Sequence, residues 1–120
     1  MIDIIIALLL ITGVYDTGWS SRYDPHVMDW QLTYHDLTPP CDGCAVAVSD
    51  CSRIGEYMLI RPLGAEVWVP VIVADCAGAD ALDENGISWM DEYNIDAELS
   101  WELAEQFGAV DGSIEIEVMR

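Results

Sequence analysis

From Cys44 onward the chain is a succession of short apolar runs rich in Val, Ile and Ala. They read "CAVAVS" (Cys44 to Ser49), "EYMLIRPL" (Glu56 to Leu63), "EVWVPVIVADC" (Glu66 to Cys76) and the alternating "SIEIEVMR" (Ser113 to Arg120). Glycines punctuate the joints between them, and each run has the length and β-branched character of a strand. "GWSSRYD" at Gly18 to Asp24 reads as a further strand ahead of them. A chain of 120 residues with 52% apolar content has room for one domain with a real core. Several short strands around a single helix predict a mainly β fold, a small closed barrel rather than a parallel doubly wound sheet.

The helix is expected in "DAELSWELAEQFG" (Asp96 to Gly108). Ser100 can accept from the free N–H groups of a first turn, Leu103, Ala104 and Phe107 share one face, and Gly108 can adopt a left-handed stop. "MDWQLTYHDLTPP" (Met28 to Pro40) reads as a long polar and aromatic loop.

Charge narrows the partners. Twenty-two acidic residues face four basic ones, all arginine, for a formal charge of −18 spread along the chain after its N-terminus. Such a field repels nucleic acid and anionic lipid. It permits neutral sugars, cationic polymers, divalent metal ions or basic proteins, and it also serves solubility alone in a salty or acidic habitat.

Residues 1–17 stand apart as an apolar N-terminal segment ahead of a domain at 18–120. "IIIALLLI" (Ile4 to Ile11) has the length of a signal-peptide core and falls short of a bilayer span, while Asp3 occupies the place of the usual basic residue. An export signal, a short membrane or assembly anchor through residues 4–11, and a buried strand all remain open. Together with the cysteines, the segment leads us to expect an extracellular, periplasmic or surface-displayed protein.

Cys41, Cys44, Cys51 and Cys76 supply a Cys-x-x-Cys in "CDGC" but no second zinc half-site, and two prolines precede it where a redox motif would have a strand. Disulfides are the expected use. Cys51 with Cys76 is favoured, because each ends a strand-like run; Cys41 with Cys44 would form a tight local loop and is left open.

The ordered pieces "SSRYDP", "CAVAVSDCSRIGEYMLIRP", "VWVPVIVADCAG", "AELSWELAEQFG" and "IEIEV" resemble the double-psi β-barrel domain of rare lipoprotein A (RlpA) and its relatives. Expansins, barwin-like proteins and a group of barrel endoglucanases belong to that superfamily. The resemblance covers roughly Gly18 to Met119. It implies a six-stranded double-psi barrel with one short helix, no cofactor, and a polysaccharide partner such as peptidoglycan or another wall glycan. In catalytic relatives an acidic residue just before the Leu-Ser of this helix protonates the glycosidic oxygen. Glu98 stands there in place of the usual Asp, and Asp96-Ala97 stands where the family shows His-Phe. Asp24, in "SRYD", matches the base of the barrel endoglucanases, and Asp75, in "VADC", is a third carboxyl that the fold would bring to the same groove. Each also has a structural reading: Asp24 as a turn residue before Pro25, Asp75 as a backbone acceptor, Glu98 as an anion at a helix N-terminus.

Trp19, Tyr23, Trp30 and Trp89 lie beside polar or loop residues and are the expected sugar-stacking rings, whereas Trp68 and Trp101 are expected in the core. His26 and His35 match no closed metal site with Asp24, Asp29 or Asp36, so no metal is expected. Two function classes follow: a polysaccharide-binding barrel, with a structural surface or virion part as its variant, and a glycan-cleaving enzyme of lytic transglycosylase or glycoside hydrolase type with Glu98 as acid.

Overall fold

A computed structural model describes residues 15–76, 82 and 84–120. The apolar run Ile4 to Ile11 lies outside these residues. Six strands, β1 (Tyr15–Arg22), β2 (Ala45–Ala47), β3 (Tyr57–Pro62), β4 (Val69–Asp75), β5 (Ile95–Leu99) and β6 (Glu115–Met119), form a closed barrel in the order β1-β5-β2-β4-β3-β6. β1 with β5 and β2 with β4 are parallel; the remaining neighbours are antiparallel.

The side-chain alternation explains the runs seen in the sequence. Val46 and Val48 of the β2 segment, Met58 and Ile60, Val71 and Val73, Ala97 and Leu99, and Ile116 and Val118 fill the barrel interior. The alternate residues Ala45, Ala47, Ile72 and Ala74 are buried too, on the outside, under Tyr23 and Met28. β2 and β4 are therefore covered on both faces, and strands so placed read as continuous apolar runs. β1 turns only Gly18 and Ser20 inward, and the Ser20 hydroxyl accepts the Ile114 N–H at 3.1 Å.

Three α-helices, not one, accompany the barrel among the described residues: α1 (Pro25–Tyr34), α2 (Trp89–Glu92) and α3 (Trp101–Phe107). The stretch read as a loop is largely α1. Asp24 caps it, accepting from His26 N at 2.9 Å and Val27 N at 3.3 Å, with Pro25 at the first helical position, where a missing N–H costs nothing. Met28 fixes the helix onto the outer face of β2 and β4. The helix expected near the C-terminus is α3, capped by Ser100 and stopped by Gly108 at φ 72°. Its expected lead-in differs, because Ile95–Leu99 is the sixth strand, and Glu98 sits on that strand rather than at the helix's positive end.

Both disulfides form, Cys51–Cys76 and Cys41–Cys44, with Cα separations of 4.7 and 5.1 Å. The tight Cys41–Cys44 loop depends on Gly43, which has φ +71° and lies so close to α3 that a Cβ there would stand 2.4 Å from Glu102 Cβ. We expect Gly43→Ala to destabilise the fold by about 2 kcal/mol or more, combining a left-handed backbone penalty with a clash against a helix. Denaturant unfolding checks this; a loss well below 1 kcal/mol would contradict it.

Candidate functional site

Strand register, rather than sequence proximity, assembles the acidic residues. Across the barrel wall Ser21 of β1 stands opposite Glu98 of β5, Glu98 opposite Ala47 of β2, and Ala47 opposite Asp75 of β4. Ala47 itself is fully buried beneath Tyr23 and Met28. Tyr23, just past β1, is anchored by its N–H to Leu99 O at 2.8 Å. Its hydroxyl donates to Asp75 Oδ2, and the other Asp75 oxygen accepts the Cys76 N–H at 2.8 Å.

This environment sets the protonation of Glu98. The residue is 8% exposed, and its carboxyl makes no hydrogen bond among the described residues. Burial, followed by the negative charge of Asp75, pushes its pKa up to about 7 from the ordinary 4.5. Glu98 therefore retains a proton near neutrality and has no internal acceptor competing for it. Tyr23 is also shifted upward, first by burial and then by its hydrogen bond to Asp75, with the Glu98 and Asp24 charges adding to the shift.

The three carboxyls thus surround Tyr23, but they are differently occupied. Asp24 is exposed and holds the N-terminus of α1, Asp75 is tied to Tyr23 and to backbone, and Glu98 is unbonded. Ser21, the register partner of Glu98, lines a shallow cavity of about 320 Å³ with Arg22, Val110, Asp111 and Ser113.

The aromatic residues divide into two groups. Tyr23, expected as a stacking ring, is 7% exposed and belongs to the core beneath α1, where burial and its bond to Asp75 leave no free face for a sugar. Trp19, Trp30 and Tyr34 are 42%, 58% and 68% exposed, and Trp30 stacks on Tyr34 at 4.9 Å between centroids. Tyr34 drew no assignment from the sequence because α1 was not recognised there. Its i, i+4 relation to Trp30 becomes a signal only on a helix. Trp89 is half-buried at the start of α2. Trp68 and Trp101 are also half-buried, each covered by an arginine, with Arg61 at 4.1 Å and Arg22 at 4.7 Å from the ring centroids.

Among the described residues no three His, Cys, Asp or Glu side chains are grouped so as to hold a metal ion. No helix among them is long and apolar enough to cross a membrane. Comparison with protein-family models, with curated proteins and with solved structures finds no match to this chain.

Proposed function

We propose that the protein is an exported barrel that binds a polysaccharide such as peptidoglycan or another wall glycan. The observation that carries this reading is the exposed stack of Trp30 on Tyr34, one turn apart on α1 and on the side away from the buried Met28. Flat rings suit the apolar faces of sugars, and a charge of −18 disfavours polyanions while leaving neutral glycans unaffected. The strand order, with two parallel pairs in a closed six-stranded barrel, is in keeping with the resemblance to the rare lipoprotein A domain. Two disulfides suit an oxidising compartment.

A second reading, glycan cleavage, draws on the retained proton of Glu98. A carboxyl protonated near neutrality can protonate a leaving glycosidic oxygen. Asp75 is better placed than Asp24 to assist, since the Asp24 side chain already caps α1. Glu98 and Asp75 flank one intervening strand, and the negative charge of Asp75 acts on Glu98.

Co-sedimentation with peptidoglycan, cellulose and chitin, combined with assay of soluble products, tests both readings. The joint change Trp30→Ala and Tyr34→Ala should weaken sedimentation by about fivefold or more, the loss of about 1 kcal/mol of stacking. Glu98→Gln should leave sedimentation intact and abolish any product release, because the amide has no proton of comparable acidity to donate. A parent protein that sediments with none of the three polymers would overturn the proposal.

A further inference from the structure

A second concavity, of about 250 Å³, opens where β1 begins and β6 ends, and none of its lining residues belongs to the Tyr23–Asp75–Glu98 cluster. Its acidic wall arises from an irregularity in register. Trp19 pairs with Ile95 and the next residue, Ser20, pairs with Ala97, so Asp96 is an extra residue with no partner on β1. A bulge of this kind re-aims the side chain it carries. The Asp96 carboxyl lies over Gly18, close enough that a Cβ there would stand 2.5 Å from Asp96 Cγ. Only glycine at this position leaves the carboxyl its place.

The Asp96 carboxyl shares the lining with that of Asp16, and its buried Oδ2 has no hydrogen-bond partner among the described residues. Burial, then the Asp16 charge, pushes Asp96 up to about 6, with Arg120 and Arg53 opposing the shift.

Two arginines stand in the same lining as this acidic wall. Two of the chain's four basic residues, Arg53 and Arg120, face this one cavity. Arg53 engages Glu56 through Nε at 3.2 Å and Met58 Sδ through Nη2 at 3.4 Å, which leaves Nη1. Arg120 makes no hydrogen bond or ion pair with the described residues. Asp91, the remaining charged group of the lining, accepts a hydrogen bond from Ser49 at 2.9 Å. Val48 and Val118 add an apolar surface.

We propose that this cavity binds a small zwitterion, a molecule with an ammonium and a carboxylate a few bonds apart, as in a free α-amino acid. The ammonium meets the carboxyls of Asp16 and Asp96, the carboxylate meets Arg120 and Arg53, and the carbon skeleton rests on the two valines. The volume lies below the roughly 300 to 1,000 Å³ of sites for drug-sized molecules, which favours a ligand of a few heavy atoms. Asp96 accepts the ammonium once it has lost its own proton to solvent. Affinity therefore rises with pH through about 6.

Backbone amide shifts of the ¹⁵N-labelled protein, titrated with glycine, L-alanine, ethylamine and acetate, test the proposal. Glycine and alanine should give saturable shifts at Gly18, Val48, Asp96 and Val118, with ethylamine and acetate at least about tenfold weaker, because each can satisfy only one wall. Arg120→Gln and, separately, Asp96→Asn should each weaken alanine binding by about tenfold or more. Arg120 is exposed and unpaired, so its variant remains informative if Asp96→Asn fails to fold. The proposal is overturned if neither amino acid produces saturable shifts up to about 50 mM, well beyond the millimolar range. It is equally overturned if ethylamine or acetate binds as well as alanine, or if Arg120→Gln binds alanine unchanged.

Discussion

Between about pH 4.5 and pH 7 the protein should lose about 2 kcal/mol of stability on account of one side chain, and Glu98→Gln should remove that loss. The folded state holds the Glu98 proton up to about 7, whereas the unfolded chain releases it near 4.5. In that window the native state binds more protons than the unfolded state, so stability falls as pH rises and levels off above about 7. The interval corresponds to about 3 kcal/mol at about 1.36 kcal/mol per pH unit, and partial contact with water screens this to about 2. Asp96 acts in the same direction from 3.8 to about 6. General repulsion in so acidic a chain does likewise, so the informative quantity is the difference between parent and variant in urea unfolding across the range. A variant whose stability falls as steeply as the parent's would show that Glu98 is not held protonated.

The two disulfides should differ in what their removal costs. Replacing Cys51 and Cys76 by alanine frees a loop of 25 residues, worth about 3.5 kcal/mol in the chain-entropy account. The same change at Cys41 and Cys44 frees a separation of only 3, worth about 2 kcal/mol. The Cys51–Cys76 bridge also fixes the residue after Asp75, whose N–H holds one Asp75 oxygen, so its loss should loosen the Tyr23–Asp75 contact as well. Thermal unfolding of the two double variants gives the order. An equal or larger loss from the Cys41–Cys44 pair would refute this account.

What could be read from the sequence was whatever depends on local chemistry. Ser100 and Gly108 bound a helix because a cap and a left-handed stop are properties of one turn. The β2 and β4 runs were visible because both of their faces are buried. β5 was not recognisable in the same way: in Ile95–Leu99 the polar Asp96 and Glu98 alternate with the interior residues Ala97 and Leu99, and a five-residue stretch leading into a capped helix resembles its first turn. Its strand character comes from pairing with β1 and β2, which lie far away in the chain. α1 did carry its signals, an Asp cap and a first-turn Pro, but Val27, Trp30 and Tyr34 remain exposed, so no clean apolar stripe reinforced them. The burial of Glu98 and the bulge at Asp96 follow from register, which composition and periodicity do not encode.

The way the barrel closes has a consequence for how the chain must fold. β1 finds both of its partners in the last strands of the chain, with Tyr15 opposite Met119 and Arg22 opposite Leu99. Among the strands of the described residues only β3 and β4 are consecutive and pair directly, so the Tyr57–Ile72 hairpin is the pairing there whose loop-closure entropy is small. Every other seam joins segments distant in sequence, the regime of slow folding, milliseconds to seconds rather than microseconds. Until Glu115–Met119 has emerged, β1 and β3 each lack a neighbour, and an unpaired strand edge is a template for association with another chain. A polypeptide built this way commits to its native form only once β6 is available to both neighbours.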